Sequence, residues 1–184
     1  MGKINLLYAR ESDRKLIYEL TIEDKEVISA MFNSVNDFHW EEIRDEKSIF
    51  FDEKPSRDKY LLIEYEKEII GVFCHIFHDS LIKNIEFHIW LRSMKYAGVG
   101  IGTKILSTML EYLHKEYSID TFLMRPWIKN TRAVHTYNKC GFEIVENFIL
   151  NNYFTKEEIL LHGNGAYVEE ETVNMTYTFS QKSN

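Results

Sequence analysis

The stretch Tyr96-Ala97-Gly98-Val99-Gly100-Ile101-Gly102-Thr103-Lys104 holds three of the eight glycines in a chain of 184 residues. Before it runs a strand pattern, Lys83 to Leu91, in which Ile85, Phe87, Ile89 and Leu91 share one face and Glu86, His88 and Trp90 the other. After it runs a helix pattern, Thr103 to about Glu116, with Ile105, Met109 and Leu113 four apart and Leu106 and Leu110 beside them. Glycines at such a junction remove the Cβ atoms that would keep a ligand off the backbone, and the first-turn N–H groups of the helix face the same space. A phosphate or pyrophosphate fits there, aided by the positive end of the helix dipole. The mononucleotide loop needs Gly-Lys-Ser/Thr, whereas the order here is Gly102-Thr103-Lys104. The dinucleotide motif is G-x-G-x-x-G opening the first βαβ unit; here the spacing is G-x-G-x-G and no such unit precedes it.

Outward from this junction, residues 3 to 9 read as a strand, followed by a helix over Leu16, Ile17 and Leu20 that Ser12 or Asp13 can cap. A second helix spans about Asp24 to Val35, with Val27, Met31 and Val35 on one face. Asn36 to Asp58 reads as an irregular aromatic and acidic wall, stopped by Pro55. Tyr60 to Tyr65 and Ile69 to Phe77 make a hairpin around Glu66-Lys67-Glu68. Downstream, Thr121 to Met124 is a short strand, Asn130 caps a helix that Gly141 ends, and Phe142 to Leu150 and Val173 to Phe179 are the closing strands. No repeat, linker or low-complexity tract interrupts the order, so residues 1–184 are expected to form one α/β domain.

A second segment adds to the first: Arg125-Pro126-Trp127-Ile128-Lys129-Asn130-Thr131-Arg132-Ala133-Val134-His135-Thr136-Tyr137-Asn138-Lys139-Cys140-Gly141-Phe142. It resembles the block Asn-x-x-Ala-x-x-x-Tyr-x-x-x-Gly-Phe of the GNAT superfamily of acyl-CoA-dependent N-acetyltransferases. The glycine stretch is similar to that superfamily's Arg/Gln-x-x-Gly-x-Gly/Ala signature, aligned as Ala97-Gly98-Val99-Gly100-Ile101-Gly102. Ala97 departs from it, since the family has Arg or Gln there; the backbone amides remain, and Lys95 or Lys104 is left to supply charge. The two segments with their strands cover roughly residues 83 to 150. The block Arg125 to Ala133, with Tyr137 to Phe142, is similar to the same region of the aminoglycoside 6'-N-acetyltransferase group.

The resemblance implies a GNAT fold of α/β (α+β) class: a mixed, mostly antiparallel twisted sheet of about 6–7 strands, about 4 flanking helices, and strands splayed around the coenzyme A site. It implies acetyl-CoA as co-substrate and no metal. The cofactor contacts it implies are Leu91, Tyr96, Ala97, Gly98, Val99, Gly100, Ile101, Gly102, Thr103, Lys104, Asn130, Ala133 and Tyr137. Tyr137 is implied as the acid for the departing thiolate, a role a phenol protonated at neutral pH can fill. The base is either Glu86 or His88, on one strand face, and backbone N–H groups near Ile89 to Leu91 are implied to hold the thioester carbonyl. Without the resemblance, Tyr137 reads first as a core tyrosine on the buried face with Ala133; the resemblance reverses that order.

A covalent acetyl-cysteine is disfavoured, because Cys140 ends a helix and Cys74 lies in an apolar strand. Direct attack by the amine is expected instead. A metal site is not expected either: Cys74 and His78 share one strand face and His75 points to the other.

The charge balance bounds the partner. With 22 Lys+Arg against 29 Asp+Glu the net charge is −7, and no basic run offers a phosphate backbone a surface, so nucleic acid is not an expected partner. Trp40, Glu41, Glu42, Asp45, the Glu86 and His88 face, and Glu169-Glu170-Glu171 suggest an acidic, aromatic site for a cationic amine. An aminoglycoside or polyamine is the first candidate, a protein lysine or N-terminal amine the second, and a non-catalytic acyl-CoA sensor the third. The two cysteines lack metal or redox spacing and imply reduced thiols in a cytoplasmic protein. Charges from Arg10 to Lys15 break any signal-peptide core, and no run reaches the ~18 apolar residues of a membrane span. A homodimer is the assembly left open.

Overall fold

A computed structural model of the chain describes residues 2–31, 40–45, 49–162 and 171–179. Among them seven strands form one mixed sheet: β1 (Ile4–Tyr8), β2 (Lys59–Tyr65), β3 (Glu68–His78), β4 (Asn84–Leu91), β5 (Thr121–Met124), β6 (Glu143–Ile144) and β7 (Met175–Thr178). Their order is β1-β2-β3-β4-β5-β7-β6. The four expected helices are α1 (Arg14–Ile22), α2 (Lys25–Met31), α4 (Ile101–Tyr117) and α5 (Thr131–Lys139). Three short ones join them: α3 (Trp40–Asp45), inside the segment read as irregular, and α6 (Leu150–Tyr153) and α7 (Lys156–His162), ahead of β7. By packing, the chain divides into one unit of residues 1–76 with 88–101, and another of 77–87 with 102–184.

In the first unit, β1 and β2 pair antiparallel from Ile4↔Tyr65 to Tyr8↔Leu61, and β2 continues onto β3. The hairpin closes through Glu66 and Lys67, both at positive φ (53° and 70°), the left-handed pair whose twist matches that of the strands. Ala9, Ile17, Leu20, Phe51, Leu62 and Val72 form the core, with Leu16, Tyr60, Ile69 and Trp90 packed on it. The Lys59 ammonium donates to the Phe51 and Lys54 carbonyls at 3.1 and 2.9 Å, so the loop that delivers Phe51 is organised by one cation. A first-turn cap from Ser12 or Asp13 is not what starts α1. A 3₁₀ turn at Glu11–Asp13 precedes it, and the Asp13 carboxylate reaches back to accept the Arg10 N–H at 2.8 Å. Helical geometry begins one turn earlier than the periodicity of Leu16, Ile17 and Leu20 indicates, which moves Asp13 from cap to third position.

Gly71 on β3 sits under β4, where a Cβ would collide with the Trp90 carbonyl oxygen and approach Leu91 Cα at 3.0 Å. Both neighbours are backbone, so nothing can rotate away. Gly71→Ala should therefore destabilise the protein by about 3 kcal/mol. For a chain of this length that lowers Tm by roughly 6–12 °C, a shift readable in a thermal melt.

In the second unit β4 and β5 run parallel over Asn84↔Thr121, Ile85↔Phe122 and Glu86↔Leu123, and the pairing stops there. β7 pairs antiparallel with β5 and with β6. Ile105, Leu106, Met109, Leu110 and Leu113 of α4 are all buried, together with Ile85, Phe87, Phe122, Leu123, Phe142 and Met175. The strand expected over Phe142 to Leu150 is only Glu143–Ile144. After Val145 donates to the Asn174 carbonyl, the chain turns, Phe148 stacks on Tyr153 (4.4 Å between rings, 15° between planes), and α6 follows. That stacking and the bond from Asn152 N–H to the Ile149 carbonyl close the chain locally, where a strand would need a partner. Asn84 secures the turn by donating to the Ile82 and Tyr153 carbonyls at 2.9 and 2.7 Å.

Candidate functional site

β4 ends at Leu91, and the chain passes through a 3₁₀ turn, Met94–Tyr96, to Ala97 and the glycines. Gly98 (φ 77°) and Gly100 (φ 88°) occupy the left-handed region. A Cβ on Gly98 would meet nothing within 4 Å, so this glycine is required by its backbone angle rather than by crowding. Gly102 is different. It lies in the first turn of α4, and a Cβ there would make only an ordinary contact, 3.7 Å from Thr136 Cγ2. The fold does not need its bareness, and a ligand lying on the backbone would use the space.

The first turn of α4 contains no acidic side chain, so its N–H groups face outward without a competing carboxylate. Val99 is exposed, as are Gly98, Gly100 and Lys104; Ile101 is buried and anchors the helix. Thr103 is half-buried and its carbonyl accepts the Cys140 thiol at 3.9 Å. Lys95 lies with its ammonium 4.6 Å from the centre of the Tyr96 ring. Lys104 is exposed in the first turn of α4.

On α5, the Asn130 side chain accepts the Ala133 N–H at 3.1 Å and caps the helix. Tyr137 is 7% exposed, one turn on from Ala133, with its ring 6.3 Å from that of Phe142. Gly141 (φ 91°) ends the helix, and a Cβ there would press on the Tyr177 ring at 3.1 Å, so conformation and crowding both demand glycine.

Glu86 and His88, the two candidate bases, have different surroundings. Glu86 is 6% exposed and its Oε2 lies 3.3 Å from His78 Nε2. His78, also 6% exposed, holds Glu158 Oε1 at 2.7 Å through Nδ1 and packs on the Phe154 ring at 4.6 Å. Burial alone would push His78 down; the Glu86 and Glu158 carboxylates outweigh it and raise the imidazole above its usual value. Arg125 faces the same carboxylate: burial pushes its guanidinium below the usual value and the Glu86 charge opposes that. It lies over the Phe154 ring at 5.0 Å and donates from Nε to Asn174 Oδ1 at 3.2 Å. Glu158 is fixed in turn by the first turn of α7, accepting the Thr155 N–H at 2.6 Å while Thr155 Oγ1 accepts the Glu158 N–H. His88, by contrast, is exposed.

From sequence, His78 is weighed only as a metal ligand, Arg125 stands only as the first residue of the second segment, and Glu158 is not singled out. Thr155-x-x-Glu158 is a capping-box spacing and so was readable, but it announces a helix start and not a buried ion pair.

The aromatic residues expected to meet an acceptor lie in the first unit. Trp40 of α3 is half-buried and tilts against Tyr18 of α1, with ring centres 5.5 Å apart; Glu41 beside it is exposed. Tyr60 meets Trp90 edge-on at 6.4 Å, and the Trp90 Nε1–H is buried without a hydrogen-bond acceptor among the described residues. Glu169 and Glu170 lie outside the described residues, as do the side chains of Glu42 and Asp45.

Both cysteines are free thiols, Cys74 buried and Cys140 half-buried. Burial pushes the Cys140 thiol up, which keeps it protonated. His75 is pushed down to about 4 by burial and the Lys59 charge and is neutral in β3. No metal-binding group of three or more His, Cys, Asp or Glu occurs among the described residues. No helix among them is long and apolar enough to cross a membrane. A groove of about 800 Å³ in the second unit is lined by Val134, His135 and Asn138 of α5 and by Val145, Phe148 and Asn174. Tyr137 is not among the residues that line it.

A family model described as an acetyltransferase (GNAT) domain matches residues 3–143. N-alpha-acetyltransferase 50 of Danio rerio is 31% identical over 88 residues, 48% of this chain and 51% of that protein. The chain thus matches about half the length of this curated relative. Among solved structures, the aminoglycoside acetyltransferase AAC(6')-Ib bound to coenzyme A has a TM-score of 0.69 at 15% identity, covering 96% of this chain and 95% of that one. Spermidine N-acetyltransferase of Vibrio cholerae, bound to coenzyme A and spermine, has a TM-score of 0.60 at 17% identity, covering 96% and 95%. At these identities the likeness is one of fold.

Proposed function

The chain belongs to the GNAT acetyltransferase family, and on that premise we propose that it moves an acetyl group from acetyl-CoA to a primary amine of a small cationic molecule. The observation that carries the cofactor reading is Gly102, bare without structural need in the first turn of α4 and preceded by two left-handed glycines. The residues present fit the group. Backbone N–H groups from Gly100 to Lys104 would receive the pyrophosphate, with Lys104 supplying the charge that Ala97 lacks, and Asn130, Ala133 and Tyr137 would meet the pantetheine arm.

Acetyl-CoA supplies the activated acyl group, and the chain's own residues do the rest. An incoming ammonium must lose one proton before its nitrogen can attack. His88 is the better acceptor of that proton, because its imidazole is exposed to an incoming amine while Glu86 is buried against His78. Backbone N–H groups over Ile89 to Leu91 hold the thioester carbonyl. Tyr137 gives its proton to sulfur as the carbon–sulfur bond breaks. Direct attack is favoured because the Cys140 thiol is held protonated and Cys74 is buried.

For the acceptor, support comes from the net charge of −7, the Tyr18–Trp40 pair with Glu41 beside it, and folds shared with enzymes that take aminoglycosides and polyamines. A second reading, acetylation of peptide N-terminal amines, is favoured by the 31% identity to N-alpha-acetyltransferase 50 over 88 residues. The test follows free thiol with acetyl-CoA and a panel of aminoglycosides, polyamines and peptides. Thiol release with the first two classes is expected. Release with peptides alone selects the second reading, and release with no amine despite coenzyme A binding identifies a sensor instead of an enzyme.

A further inference from the structure

The turn that leads β4 into the glycines, Arg92 to Ala97, is gripped by side chains outside the motif. The Arg92 guanidinium forks onto Glu23 at the end of α1, Nε donating to Oε2 at 2.9 Å and Nη2 to Oε1 at 3.0 Å. Its Nη1 donates to Glu68 Oε1 at 3.1 Å and to the Ile69 carbonyl at 3.2 Å, while its backbone N–H donates to the Ile70 carbonyl. Asp24, between α1 and α2, accepts the Met94 N–H at 3.0 Å through Oδ2. The Tyr96 hydroxyl donates to Glu68 Oε2 at 2.8 Å.

Charged contacts this exposed contribute little to global stability. Their convergence on six residues has another consequence: it fixes the point from which Gly98 and Gly100 depart. The Met94 N–H is the largest influence on Asp24, whose carboxyl it holds below the usual range, so that bond is made with an ionised acceptor. Ala97 has no polar side chain to hold an anion. An anion therefore depends on the backbone of the loop being ordered before it arrives, and ordering it on binding would reduce affinity.

We infer that Asp24 and Arg92 are positioning residues for the cofactor, tying the α1–α2 junction to the turn that aims the glycine cradle. The inference rests on the reading of Gly98 to Lys104 as the pyrophosphate site. Coenzyme A titrated calorimetrically into the full chain tests it, with KM for acetyl-CoA and for the amine measured alongside. Asp24→Ala should weaken coenzyme A about tenfold, the loss expected for one hydrogen bond to a charged acceptor, with amine KM unchanged and Tm lowered by only the roughly 2–4 °C of a lost helix cap, because the Asp24 carboxylate also accepts the Glu26 N–H at 2.9 Å in the first turn of α2. Asp24→Asn keeps an acceptor oxygen for Met94 and should restore affinity to within about threefold of wild type. Arg92→Gln, which opens the Glu23 fork at the surface, should act in the same direction and stands in if Asp24→Ala does not fold. Equal coenzyme A affinity in wild type and both variants overturns the positioning role and leaves the cofactor reading intact. So does an amine KM that worsens as much as the coenzyme A affinity. A wild-type chain that does not bind coenzyme A overturns the cofactor reading itself, and the positioning role with it.

Discussion

Glu86→Ala is expected to lower stability by about 3–5 kcal/mol, because removing one member of a buried charged group leaves its partners uncompensated. The partners here are His78, 3.3 Å away and 6% exposed, and Arg125, a guanidinium that burial pushes down and the Glu86 charge pushes back up. Denaturant unfolding with an unchanged m-value would measure the loss. Glu86→Gln keeps the shape and should be milder, and its signature is in the pH dependence. His78 is raised in the folded protein above its ordinary 6.5, so the stability it contributes is complete below pH 6.5 and is lost as pH rises through the raised value. Glu158 is lowered below its ordinary 4.5, the Thr155 N–H and His78 outweighing its burial; its contribution is present above pH 4.5 and is lost as pH falls through the lowered value. Wild type should accordingly be most stable, as far as this group is concerned, between about pH 4.5 and 6.5. Glu86→Gln should flatten the decline above that window by removing the first-ranked of the forces that raise His78. If Glu86→Gln instead leaves stability and its pH profile unchanged and abolishes the acidic limb of kcat/KM, Glu86 is the base and not the anchor of the cluster.

How much of this was legible in sequence depends on the range of the interaction. The glycine turn was, because positive φ at Gly98 and Gly100 and the start of α4 are local properties of nine consecutive residues. Asn130, Ala133 and Gly141 likewise act within one helix, so cap, face and stop follow from spacing. The choice between Glu86 and His88 was not legible. Both stand on one strand face at a spacing of two, and alternation treats them alike. They differ because His78, from a neighbouring strand, and Arg125, at the end of β5, meet at Glu86, and pairing of that kind depends on sheet order. The shortening of β6 is a related case: Phe142 to Leu150 alternates well enough for a strand, but Phe148 finds Tyr153 only five residues on. The ties on the turn from Arg92 to Tyr96 join residues 23, 24, 68, 92, 94 and 96, whose separations carry no sequence period at all.

Tyr137→Phe should lower kcat by about a hundredfold or more, the range in which a positioned acid contributes. The substitution isolates the hydroxyl. Tyr137 is 7% exposed and its ring packs near Phe142, contacts that phenylalanine retains, so Tm should move little. Coenzyme A affinity should also stay within about twofold, since only the charge that develops on sulfur during the reaction calls on the proton. A fall in kcat and kcat/KM together, with binding intact, is therefore the expected pattern. Should kcat change by less than about threefold, the thiolate leaves without help from this side chain. Tyr137 would then be a packing residue that also caps the line from Ala133 to Phe142, and water would be the source of the proton.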